Sequence, residues 1–195
     1  MSYPLTLRFK ILAIHQQLAV HDSSNQLMMY VKQKAFKLKE AITIYADEAQ
    51  TRPLYHINAD RVIDFSATYT ITDAEGNYIG AVRQKGMKSF WRSHYDIVDG
   101  DRVVFTATEE NPWSKVANNF FEEIPILGAL SGYVFHPTYV LSANGSGSAV
   151  RAMKQPAFLE SMFRIERLPA KLSPGDERLA VIGTVTTLLL ERRRG

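Results

Sequence analysis

Two groups of cations are the residues whose type and spacing could do chemistry in this chain. Lys32 and Lys34 stand two apart with Lys37 and Lys39 behind them, and Arg83 and Lys85 repeat the spacing ahead of Lys88 and Arg92. In a strand, positions i and i+2 point to one face, so each pair sets two positive charges side by side. Such pairs can hold phosphate by charge and hydrogen bonding, without making or breaking a bond. Phe90 and Trp91 lie between Lys88 and Arg92, the mixture of cation and aromatic found where proteins meet a membrane interface or a nucleic acid. Basic residues of this kind are more often just the solvated face of a sheet, and a Trp there more often covers its end.

Bond-making chemistry finds no footing. The five histidines, His15, His21, His56, His94 and His136, never pair at helical spacing or within H-E-x-x-H, so no metal centre is expected. Gly145-Ser146-Gly147-Ser148 lacks the strand-to-helix setting of a nucleophile elbow. Asp99-Gly100-Asp101 is first of all a hairpin turn. No glycine-rich nucleotide loop is present, and zero cysteines exclude thiol catalysis and disulfides together. The chain is expected to be no enzyme and to need no cofactor.

A length of 195 residues, 46% of them hydrophobic, suffices for one sizeable core, and residues 1–195 are expected to form one domain. The net charge of +3 favours anionic partners slightly, and no nucleic-acid recognition motif accompanies it. The apolar run Ile11 to Ile14 is too short for a signal peptide, so a cytoplasmic location is expected, peripheral to a membrane at most.

The elements that must position these residues are mostly strands. Ile63, Phe65, Ala67, Tyr69 and Ile71 alternate with Asp64, Ser66, Thr68, Thr70 and Thr72, one face for a core and one for water. Polar turns at 21–25, 47–52, 73–77, 99–101 and 144–147 separate further strands, with Phe9 to Val20 read as one of them, giving roughly ten to twelve in a meander. Asn111-Pro112 opens an amphipathic helix over about 112–124, with Trp113, Val116, Ala117, Phe120, Phe121 and Ile124 on its greasy side. That face and the apolar connection Ile126 to Leu130 could serve a protein partner.

The chain closes on Ser173-Pro174-Gly175-Asp176, which caps and starts a helix running to Arg192. Leu179 to Leu190 carries no charge, so it must be buried on every side. Twelve residues reach only about 18 Å against about 30 Å of bilayer core, so no transmembrane segment is expected. A sheet curled round the helix is the simplest enclosure, with Val181, Ile182, Val185, Leu188 and Leu189 buried and Gly183 where a strand side chain presses in.

With His136-Pro137-Thr138-Tyr139, the Tyr30 to Lys34 strand, the Gly80 to Lys85 strand, Asp99-Gly100-Asp101 and the Asp176 to Leu179 helix start in place, the chain resembles the LURP-one-related family. That family belongs to the tubby C-terminal-like superfamily, with the phospholipid scramblases as distant relatives. The resemblance implies a mainly β fold, a closed antiparallel barrel of about twelve strands enclosing the C-terminal hydrophobic helix. For function it implies a binding module: tubby proteins bind phosphoinositides, scramblases act on lipids, and the LURP-one-related proteins have no agreed activity. The scramblases' palmitoylated cysteines and a calcium loop are missing here, and tubby basic residues match no motif of this chain. The expected ligand is an anionic phospholipid head group or other phosphate-bearing molecule, at Lys32, Lys34, Arg83, Lys85, Lys88 and Arg92. The alternative is a scaffold using the Trp113 to Ile124 face.

Overall fold

The computed structural model describes residues 1–10, 16–33, 41–60, 67–85, 94–110, 137–157 and 160–194. They build twelve strands: β1 (Leu5–Lys10), β2 (Gln16–His21), β3 (Leu27–Gln33), β4 (Ile42–Tyr45), β5 (Pro53–Ala59), β6 (Thr68–Asp73), β7 (Tyr78–Gln84), β8 (His94–Asp99), β9 (Arg102–Glu109), β10 (Thr138–Ala143), β11 (Gly147–Gln155) and β12 (Glu160–Arg167), before helix α1 (Pro174–Arg194). Each strand pairs antiparallel with its neighbours in sequence, and β1 pairs β12, so the sheet is a closed barrel without an edge. The stretch Phe9 to Val20, read above as one strand, is instead split between β1 and β2, which pair Phe9 with Leu18. Twelve residues at about 3.3 Å each would run about 40 Å, far beyond the strands of this wall.

Period two decides the interior. Leu5, Leu7 and Phe9 on β1, Leu18 and Val20 on β2, Ala67, Tyr69 and Ile71 at β6, and Val150 and Ala152 on β11 are buried, as the alternation requires. Ile63 and Phe65, and the 112–124 helix, lie outside the described residues.

The axis of the barrel is α1. Ser173 caps it: its Oγ accepts from the Asp176 N–H at 3.1 Å and donates to Asp176 Oδ2 at 2.7 Å. Val181, Ile182, Val185 and Leu189 are fully buried and Leu188 nearly so. The threonines in this apolar stretch bring hydroxyls into the core, and those of Thr184 and Thr186 donate to the Ala180 and Ile182 carbonyls one turn back. Among the described residues no helix is long and apolar enough to cross a membrane.

Two glycines let the helix touch the wall. A Cβ at Gly80 would sit 2.5 Å from Leu179 Cδ1, and one at Gly183 2.7 Å from Ile97 Cδ1 and 3.0 Å from its Cγ1. Gly183 therefore lies where the side chain of Ile97 on β8 presses in, as its cost in a helix centre suggested. Gly183→Ala is expected to lose about 1–2 kcal/mol in urea unfolding, because overpacking costs about 1–3 kcal/mol and the helix gains only about 1 kcal/mol. Adding Ile97→Val, which removes the crowding methyl, should return part of that loss; a stabilised Gly183→Ala single variant would contradict the packing.

Candidate functional site

The alternation of strands sorts the connections. Those between β2 and β3, β4 and β5, β6 and β7, β8 and β9, and β10 and β11 all lie at the end where α1 begins. Four of these turns carry Asp22, Asp47, Asp73, and Asp99 with Asp101, at the end where Asp176 and Glu177 lie in the first helical turn. Several of these carboxylates build the turns themselves. Asp47 accepts from the Thr51 and Arg52 amides, and Asp73 from the Glu75 and Asn77 amides and the Asn77 side chain. The hydrogen bond from Thr51 in the first case and from the Asn77 side chain in the second leads in holding each carboxyl below its ordinary value.

The opposite end, the mouth, is where β3 and β7 end and where α1 finishes. Lys32, near the end of β3, is exposed. Arg83 lies near the end of β7 and Lys85 just past it. Lys34, Lys88 and Arg92, together with Phe90 and Trp91, lie outside the described residues.

Arg83 and Lys85 share the outer face, as their spacing requires, but their heads part. The Arg83 Nη2 donates to the Gly100 carbonyl at 3.2 Å, reaching back toward the turn end. The Lys85 ammonium lies 2.8 Å from Asp96 Oδ2, a carboxylate buried on the outer wall that also accepts from Thr106 Oγ1 at 3.3 Å. Three strands separate β3 from β7, so four spacings of about 4.8 Å put Lys32 about 19 Å round the rim from Arg83. Lys32 therefore lies on another side of the same mouth.

Inside the mouth the wall turns polar, and the sequence reading did not find this. On six adjoining strands it presents Phe9, Phe163, Lys154, Tyr139, Glu109 and Tyr95 in turn. Glu191, on the last turns of α1, accepts from the Tyr95 hydroxyl at 2.6 Å and from the Tyr139 hydroxyl at 3.1 Å, tying the helix to β8 and β10. Burial first, then Glu191 and Glu109, push the Tyr139 phenol far up, so it stays a donor. Arg192, one residue on and about 100° further round the helix, turns to the other side, its guanidinium carbon 5.0 Å above the Phe9 ring. Phe9 meets Phe163 edge to face at 6.4 Å. Lys154 continues the inward positions Val150 and Ala152 and stands opposite Phe163. That continuation of period two was the available signal for it.

The described histidines stay apart: His56 Nδ1 lies 3.2 Å from Thr43 Oγ1 on β4, and His94 Nε2 lies 3.8 Å from Asp96 Oδ1. Among the described residues no three acidic or histidine side chains gather as a metal site. Asp99-Gly100-Asp101 is the β8–β9 turn, and Gly145 to Ser148 leads from β10 into β11. A shallow surface depression of about 370 Å³ beside this last turn is lined by Ser146, Gly147, Ser148, Pro169, Ala170 and Lys171 and gathers no acid-base pair.

The LURP-one-related family model matches residues 27–155, about two thirds of the chain. The chain belongs to the LURP-one-related family. Within this LURP-one-related barrel the match opens on the first residue of β3 and closes on the last of β11. Strands β1, β2 and β12, and the plugging helix, fall outside it. No curated protein and no solved structure matches the chain significantly.

Proposed function

We propose that this LURP-one-related chain is a non-enzymatic binding module that rests its mouth on an anionic phospholipid surface, peripheral to the membrane. The observation that carries this reading is the partition of charge between the two ends. Aspartates line the turn end, whereas the mouth collects Lys32, Lys85 and Arg192; in the sequence Lys34 follows β3, and Lys88 and Arg92 follow β7.

Carboxylates at the mouth are largely engaged already. Asp60 accepts from the Thr68 amide, Asp96 holds Lys85, Glu110 holds Arg151 and Glu191 holds two phenols. A spacing of about 19 Å between Lys32 and β7 exceeds the screening length of about 8 Å at physiological salt, so one small anion cannot span both. A surface of many head groups can. Each cation near such a surface is worth about 1 kcal/mol, so the rim suits reversible contact and no permanent anchor. The tubby-like superfamily reading agrees with this barrel and its plug, and with a lipid-facing role.

Charge reversal tests it. Lys32→Glu with Lys34→Glu, combined with Lys88→Glu and Arg92→Glu, is expected to weaken flotation with phosphatidylcholine vesicles containing phosphatidic acid at least tenfold, with no comparable change on pure phosphatidylcholine. Lys85 is left alone because a glutamate there would face Asp96. Binding that survives all four changes, or is absent from the parent at low salt, would overturn the proposal and favour a protein partner.

A further inference from the structure

Two cations share the interior of the mouth, and among the described residues neither has a carboxylate within ion-pair distance. Lys154 faces inward by its register with Phe163 and is half-buried. Arg192, also half-buried, holds its guanidinium carbon over the Phe9 ring, which favours a cation yet brings no negative charge to balance it. Glu191 is turned to the other side of the helix and taken by Tyr95 and Tyr139. Burial pulls the Lys154 ammonium below the ordinary lysine value, and the charge felt next is that of Arg192, which pulls it down further. Burial alone lowers Arg192. Two like charges held near each other and partly withdrawn from water are unfavourable until an anion joins them.

We propose that Lys154 and Arg192 form an anion subsite that takes one phosphate group of a phosphate-bearing ligand inside the mouth. This deepens the proposal of an anionic lipid surface, because it gives one head group a seat at the centre of the rim. A guanidinium carries about five N–H donors in a planar fork, so one seated over a ring can still hold phosphate oxygens through two parallel hydrogen bonds. The Lys154 ammonium adds a point charge from the wall, so the two cations match the charge of a phosphate monoester. The apolar neighbours Phe9 and Phe163 keep the local dielectric low, which strengthens the attraction. The phosphate can belong to a lipid head group or to a soluble molecule.

The test follows the Lys154 side-chain resonance of the full chain, labelled at lysine Cε, during titration with inorganic phosphate, glycerol 3-phosphate and phosphatidic acid vesicles. A saturating shift with at least one probe is expected. Lys154→Met and Arg192→Met should each weaken that binding about ten- to a hundredfold, and without anion each should melt no lower than the parent, since a repulsion has been removed. Saturation by the soluble probes assigns a free phosphate compound, and saturation by vesicles alone assigns a lipid. The fourfold charge-reversed rim variant separates the two proposals: it should lose vesicles while keeping soluble phosphate. No shift with any probe, parent-like binding by both methionine variants, or a marked fall in their melting temperature without anion would overturn the subsite. The last result would mean that these cations are already paired within the protein.

Discussion

A chain ended after Leu172 is expected to show no cooperative unfolding transition, by circular dichroism or by the dispersion of its amide resonances. The truncation removes α1 and with it Leu179, Val181, Ile182, Val185, Leu188, Leu189 and Leu190, all buried. At about 1.5–3 kcal/mol for each such side chain, their burial is worth about 10 kcal/mol or more, against a net stability of about 5–15 kcal/mol for an ordinary domain. The wall loses its cover at the same time, for Leu7, Ile97, Phe105 and Leu141 would line a hollow instead of packing on a helix. A truncated chain that still melted cooperatively would show that the barrel is stable without its axis.

Leu188→Ala carries the second large effect. Leu188 is buried one turn before the Glu191 anchor, where the surrounding wall is a closed hydrogen-bonded sheet and cannot collapse far into the space left. A loss of about 2–5 kcal/mol in urea unfolding is expected, toward the upper part of the range for that reason. A loss below about 1 kcal/mol would mean that the interior relaxes freely or that the helix end is loosely held.

Much of this fold could be read from the residues because its two rules are local. The alternation through Ala67, Tyr69 and Ile71 and the uncharged run from Leu179 to Leu190 each state which sides must be dry, and a curled sheet around a helix satisfies both. Gly183 was legible for the same reason, since a costly residue in a helix centre needs a neighbour pressing on it. The hairpin of β1 and β2 was missed because Phe9 to Val20 has no strong turn residue within it, and only the height of the wall forbids one long strand. Gly80 was missed because glycine in a strand does not say which side chain approaches it; here it is Leu179 from α1.

The site was less legible. Spacing put Arg83 and Lys85 on one outer face, but it could not tell that one head turns to Gly100 and the other to a buried aspartate on the next strand. Nor could it join Lys154 to Arg192, which are far apart in sequence and meet only because β11 and the end of α1 reach the same mouth. A lysine at an inward position and an arginine just beyond an apolar helix each look ordinary alone. Their closeness is a property of closure.

The claim that one end of this barrel is its binding surface is tested most directly by amide chemical shifts of the full chain on titration with lipid nanodiscs containing phosphatidic acid. Perturbations are expected at the mouth, around Lys32, Gln84, Lys85, Lys154 and Arg192, and to fade at higher salt. The turns at Asp22 to Gln26, Asp73 to Asn77 and Asn144 to Gly147 should stay silent. Shifts gathered at those turns instead, or spread evenly over both ends, would contradict it.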